Sequence, residues 1–203
     1  MRVILASGSP RRRELLAAAG LSFEVIPSPA EEIHDATLGM KGLCEENARL
    51  KAAAVAAHHP EAVVIGADTL VFLEGRPLGK PKDMAEAEGM LRSLSGYVHD
   101  VCTGVCICGP GGEMRTLHAV TEVVFRKLDE AAISGYLAKT NPLDKAGAYG
   151  IQDHGEMIVE RIVGSYANVI GLPVEEVLDA LAEIGLGEQV LKIQPRMSAN
   201  FRE

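Results

Sequence analysis

VHDVCTGVCICGPGGEMRTLHAVTEVVFRKL, residues 98–128, decides the fold. Both halves are rich in Val, Thr and Cys, and between them lies Gly109-Pro110-Gly111-Gly112, a cluster that interrupts regular structure. Two β-rich runs around such a turn read as a long hairpin, 98–108 against 114–128. Upstream, 2–6 is a short β-branched run. Residues 11–19 have helical composition ending at Gly20, a natural residue after a helix C-terminus, and 21–26 reads as a strand closed by Pro27 and Pro29. The Ala-rich segment 44–59 predicts a helix stopped before Pro60. Strands are expected at 62–65 and 70–73 around Gly66-Ala67-Asp68-Thr69, and helices at 83–94, 129–138 and 173–184. Asp129 can cap one helix, and Pro173 suits the first turn of another. A long hairpin combined with β-α-β units implies an α/β protein with a mixed sheet. No repeat or linker divides the chain, so one domain is expected over 1–187, followed by a loosely held tail at 188–203.

Composition narrows the function. The chain has 203 residues, of which 47% are hydrophobic and 24% charged; a chain of that length buries roughly 70% of its unfolded surface without metal or disulfide staples. Only 4% of residues are aromatic, so the core is aliphatic, and the scarcity argues against a base-stacking platform for single-stranded nucleic acid. The net charge of −8 argues against nucleic-acid partners, and any anion site must be a local cluster. No apolar run approaches the ~18 residues of a membrane span, and the apolar stretch 3–6 is too short for a secretory signal. Cys44, Cys102, Cys106 and Cys108 lack zinc-site spacing; they read as reduced, buried side chains of a cytoplasmic protein.

The first chemical signal is Ser7-Gly8-Ser9-Pro10-Arg11-Arg12-Arg13. Ser9 suits the N-cap and Pro10 the first helical position, so the free N–H groups and the positive end of the helix dipole face the loop. Three arginines in that turn each cost about 0.3–1 kcal/mol, which a bound polyphosphate would offset. A solvated arginine face is the alternative. The second signal is Asp68, a carboxylate among small and apolar neighbours, costly to bury without a cation or donor. A turn aspartate bonding its own backbone is equally compatible. Lys51 in the Ala-rich helix and Lys80 in Gly79-Lys80-Pro81 add cations that, with Arg11 and Arg12, are able to cradle three phosphates. Asp68 would then serve a metal ion or an attacking water. Gln152, in a stretch with two glycines and the Asp144–Lys145 pair, carries both donor and acceptor for a base edge. His99 is lone and reads as structural. Serine-hydrolase, Walker and dinucleotide-binding motifs are absent.

Six segments occur in a recognisable order: LASGSPRR at 5–12, GADTLV at 66–71, GKP at 79–81, SGYVHDVCTG at 95–104, DKAGAYGIQ at 144–152 and GSYANVIGLP at 164–173. This pattern resembles the Maf family of nucleoside triphosphate pyrophosphatases over nearly the whole chain. The resemblance implies an elongated mixed sheet flanked by helices with a central cleft, like that of the inosine-triphosphate pyrophosphatases. It also implies a cut between the α- and β-phosphates that depends on a divalent cation (Mg, Mn or Co). By the resemblance Asp68 is the proton acceptor. Ser7, Ser9, Arg12, Lys51 and Lys80 hold the phosphates, and Asp68 with Glu32 serves the metal.

Arg11, Thr69 and Gln152 match the specificity positions of the branch that hydrolyses dTTP and UTP; the branch preferring 7-methyl-GTP has an aromatic residue where Arg11 stands. A glutamine carboxamide complements the imide edge of thymine or uracil. Two departures stand out. PSPAEE at 27–32 replaces the family's usual Asp-Glu pair, and Asp153 and His154 follow Gln152 where glycine is common. The expected partner is a nucleoside triphosphate, with no nucleic acid and no membrane, and with a homodimer left open. The alternative reading is a non-catalytic nucleotide sensor regulating cell division.

Overall fold

β3 (Val63–Leu73) is the axis of the sheet, and its pairing explains where the chain opens. On one side it pairs continuously with β5 (Val98–Cys108), from Val64 to Phe72. On the other it pairs with two short strands: β1 (Val3–Leu5) at Val63–Ile65, and β4 (Arg76–Leu78) at Val71–Leu73. Between them the β3 edge from 66 to 70 carries no strand, and Asp68 and Thr69 lie in that gap. The loop that leaves β1 enters here and becomes α1 (Pro10–Ala18). This is a computed structural model, and it describes residues 1–186; the tail expected at 188–203 lies outside the described residues.

The remaining elements complete a seven-stranded mixed sheet of order β2-β1-β3-β5-β6-β7, with β2 (Glu24–Val25), β6 (Met114–Phe125) and β7 (Val159–Val163). β1 is parallel to β2 and β3, and every other pairing is antiparallel. The helices are α2 (Gly39–Ala56), α3 (Met84–Leu94), α4 (Glu130–Leu137), α5 (Tyr166–Ile170) and α6 (Val174–Leu181).

Strand alternation assigns the two faces. Ile4, Val64, Cys106 and Cys108 pack against Ala48, Ala52 and Val55 of α2, and Leu70, Phe72 and Cys102 pack against Leu43 and Cys44 of the same helix. Gly66 and Gly104 sit between these clusters, and a Cβ at either would overlap the backbone of α2. Two glycines therefore let the helix lie directly on the sheet beside Asp68. On the opposite face α1 and α6 cover one end and α3 and α4 the other. Thr69 falls between them, and Gly171 behind α5 meets it.

Several sequence expectations change. The strands expected at 62–65 and 70–73 are one strand: Gly66 serves the close approach of α2 and makes no turn, and β5 pairs straight through Asp68. The strand expected at 21–26 is only two residues long, because β1 offers it two partners, Ile4 and Leu5. The Ala-rich helix begins at Gly39, earlier than expected, and Pro173 precedes the first helical residue of α6 instead of joining it. β4, β7 and α5 are additional short elements. The hairpin stands as read, ending at Phe125, and all four cysteines are free and buried.

Candidate active site

The strandless edge of β3 opens into a cavity of about 790 Å³, within the range of small-molecule sites. All ten residues singled out from the sequence line it: Ser7, Ser9, Arg11, Arg12, Glu32, Lys51, Asp68, Thr69, Lys80 and Gln152. Its charged lining comprises Arg11, Arg12, Lys51, Lys80 and Lys145 against Glu32, Asp68, Asp144 and Asp153. The wall thus carries an excess of positive charge on a chain whose net charge is −8.

Asp68 is 3% exposed and is met from α2 by two side chains one turn apart. Lys51 Nζ donates to its Oδ1 at 2.6 Å, and Asn47 Nδ2 donates to its Oδ2 at 3.1 Å. The turn-aspartate alternative falls away, since Asp68 is mid-strand and its side chain is held by these partners. Lys51 also donates to Glu32 Oε1 at 2.7 Å. Burial pushes the Glu32 carboxyl up, but Lys51, then Lys80 and Arg12, outweigh it and hold it below the ordinary glutamate range. Sequence reasoning missed Asn47. It is 1% exposed, and it also accepts from Ile33 N at 2.8 Å and donates to Ile33 O at 3.1 Å. It therefore fastens the segment bearing Glu32 to the helix bearing Lys51. The available signal was its spacing, four residues before Lys51 and so on the same helix face.

The α1 end supplies the other cations. Ser9 caps the helix, its Oγ accepting from Arg12 N, and Ser7 Oγ accepts from Ser9 N at 3.2 Å. The Arg12 guanidinium donates to Gly171 O at 2.8 Å, Thr69 Oγ1 at 2.9 Å and Ser7 Oγ at 3.2 Å. All three acceptors are neutral, and among the described residues no carboxylate forms an ion pair with Arg12. Burial draws its pKa down, and the more distant charges of Asp68 and Glu32 oppose that. These bonds use three of five N–H groups. The other two and the charge remain available to an anion, which the solvated-face alternative does not require. Thr69 Oγ1 stands 2.9 Å from Thr103 Oγ1, so its hydroxyl belongs to the bonding that orients Arg12. Arg11 is not loose either: its Nη1 donates to Asp144 Oδ2 at 3.0 Å. Lys80 and Gln152 are exposed on the wall.

His99 lies behind the wall, 2% exposed, its Nε2 sharing a 2.7 Å hydrogen bond with the Tyr149 hydroxyl, while Nδ1 has no partner among the described residues. Its place outside the cavity lining fits the structural reading, but one ring nitrogen is unsatisfied among the described residues. Among the described residues no group of three or more His, Cys, Asp or Glu side chains is placed to hold a metal by itself.

The family described as Maf-like protein matches residues 2–184. The dTTP/UTP pyrophosphatase of Akkermansia muciniphila is 52% identical over 90% of this chain and 96% of its own length. That of Deinococcus radiodurans is 49% identical over 91% of this chain and 94% of its own. The structure of the Staphylococcus aureus Ham1 protein superposes with a TM-score of 0.51 at 18% identity, covering 90% of this chain and 98% of that one, which shows a shared fold. A family match that runs from β1 through α6, across every residue of the cavity, places the chain in the Maf family.

Proposed function

We propose that the chain hydrolyses dTTP and UTP to the nucleoside monophosphate and pyrophosphate. The observation that carries this reading is Asp68, a buried carboxylate held by Lys51 and Asn47, opening on the cavity that Arg12 also lines, its guanidinium bonded to neutral acceptors. The names of the two relatives support the choice of nucleotide.

Arg12, Lys51, Lys80, the Ser7 and Ser9 hydroxyls and the α1 N-terminus bind the triphosphate. Asp68 orients a water and takes its proton as the oxygen bonds to the α-phosphorus. The bond from that phosphorus to the bridging oxygen breaks, and pyrophosphate departs with its charge met by the cations. Gln152 reads the imide edge of the base, with Arg11 and Thr69 at the other specificity positions.

Two carboxylates, Asp68 and Glu32, lie on either side of Lys51 Nζ, and among the described residues no third His, Cys, Asp or Glu joins them. That donor set fits a magnesium-like ion, which takes one or two carboxylates and completes its shell with water and phosphate oxygens. When bound, such an ion polarises phosphoryl oxygens and offsets their charge. No described helix is long and apolar enough to cross a membrane, and four free thiols support a reducing cytoplasm as the site of action.

A panel of nucleoside triphosphates incubated with magnesium or manganese, scored for pyrophosphate against orthophosphate, tests the reading. Pyrophosphate from dTTP and UTP, abolished by a chelator and by Asp68→Asn, is the expected result. Nucleotide binding without turnover would leave a sensor.

A further inference from the structure

Gln152 is carried by a segment, 141–153, with no helix or strand longer than a single turn. What holds this segment is Lys145. The residue is 6% exposed, and its Nζ donates to Asn141 O at 2.6 Å and Asp144 Oδ1 at 3.0 Å, and stands 3.1 Å from Asp153 Oδ2. Asn141 and Asp144 take two of the three ammonium hydrogens, and Asp153 adds a second carboxylate to the ion pair. Although Lys145 lines the cavity, its charge is met within the segment by two carboxylates. Its ammonium joins the two ends of the segment, and one end is the residue after Gln152.

The same ions reach further. The second oxygen of Asp144 accepts from Arg11, which ties the segment to α1, and Gly147 N donates to Gly79 O at 3.0 Å, beside Lys80. Gly150 lies against the lysine stem, where a Cβ would stand 2.7 Å from Lys145 Cε. Gly150, two residues before Gln152, is held separately by Tyr136, whose hydroxyl accepts from Gly150 N at 3.0 Å. Loss of Lys145 therefore removes the link that joins Asn141 and Asp144 to Asp153, while Gly150 stays attached to Tyr136.

We propose that Lys145 is a positioning residue for base selection: by closing the segment between Asn141 and Asp153 it fixes Gln152 in the cavity. Arg11 acts on the same property through Asp144. The inference rests on the reading that the cavity takes a uracil or thymine nucleotide with Gln152 at its base. Cytosine presents an amino group in place of one imide carbonyl, so a displaced carboxamide loses the distinction between them.

The experiment compares kcat and KM for UTP and CTP, and dTMP and dCMP binding by calorimetry, in the native chain, Lys145→Met and Asp153→Asn. In Lys145→Met the UTP KM rises and the UTP-to-CTP ratio of kcat/KM falls, each by about ten-fold or more, while kcat for UTP changes little. Asp153 is half exposed, so Asp153→Asn does not put folding at stake, and it shifts the ratio in the same direction by a smaller factor. An unchanged ratio in both variants, or an equal fall in kcat for both nucleotides, overturns the proposal. If Lys145→Met does not fold, Asp153→Asn decides. A native chain that prefers dTMP over dCMP but releases no pyrophosphate overturns the catalytic reading, and the calorimetric comparison still tests Lys145.

Discussion

Lys51 and Asp68 form an ion pair at 2.6 Å, and their side chains are only 13% and 4% exposed. Removing one partner of a buried pair costs about 3–5 kcal/mol when the other charge is stranded. The two halves of this pair are not equivalent. In Asp68→Asn the ammonium keeps Glu32, whereas Lys51→Met strands both carboxylates. Asp68→Asn should therefore lose pyrophosphate release by about 10²–10⁴-fold while its thermal unfolding stays close to native. Lys51→Met should lose both activity and stability. Turnover assays beside thermal melts make the comparison, and a fully active Asp68→Asn removes Asp68 from the reaction.

Asn47 offers a test of how Asp68 is held. Leucine has nearly the same volume but leaves Ile33 N, Ile33 O and Asp68 Oδ2 without this partner. Each unsatisfied buried group costs about 1–3 kcal/mol, so the melting temperature falls. With the carboxylate and the Glu32 segment released, kcat should fall by about 10- to 100-fold, with less change in KM. Steady-state kinetics on Asn47→Leu decide it; an unchanged kcat would reduce Asn47 to a packing residue.

The contrast between Asn47 and Asp68 shows what was legible in the sequence. Asp68 announces itself because a carboxylate among Val, Ile, Ala and Leu violates the local hydrophobic pattern. Asn47 sits among Glu46, Ala48 and Arg49 on a helix, where an amide breaks no pattern, and its role depends on two glycines elsewhere bringing that helix onto β3. The hairpin was legible because its turn and its period are local. The continuity of β3 was not: Gly66 reads as a strand breaker until the helix pressed on it is known. Arg11 and Arg12 look equivalent in sequence, yet one is paired with Asp144 and the other meets only neutral acceptors, a difference made by residues more than a hundred positions away.

Gly104 faces Asp68 in register across β3 and β5, and a methyl group there would overlap the backbone of Cys44 and Glu45. Gly104→Ala should lower stability by about 1–3 kcal/mol or more as α2 is forced outward. Activity should fall with it, because Asn47 and Lys51 ride on that helix. Gly89 is the control: it lies in α3 with nothing within 4 Å of an added Cβ. There alanine should stabilise by up to about 1 kcal/mol through helix propensity alone. Thermal melts of the two variants should move in opposite directions.

His99 gives the fold a pH dependence whose sign can be derived. Burial against Phe125 and Tyr149 lowers its pKa from 6.5 to about 4, so the folded protein holds it neutral while the unfolded chain protonates it in the ordinary range. Between those values the unfolded state binds the extra proton. This contribution is complete above pH 6.5, is lost as the pH falls towards 4, and does not change further below that. At full extent it is about 3 kcal/mol. The lowered carboxyls, Glu32 and Asp144 among them, lose their stability mainly below reference values of 4.5 and 3.8, and the raised carboxyl of Asp100 acts in the opposite sense, so the difference between the native chain and His99→Gln isolates the histidine. Denaturant unfolding at intervals from pH 7 to 4 should show the loss in the native chain, and His99→Gln should flatten it above 4.5. An equal slope in the two proteins there would mean that His99 is protonated in the folded state.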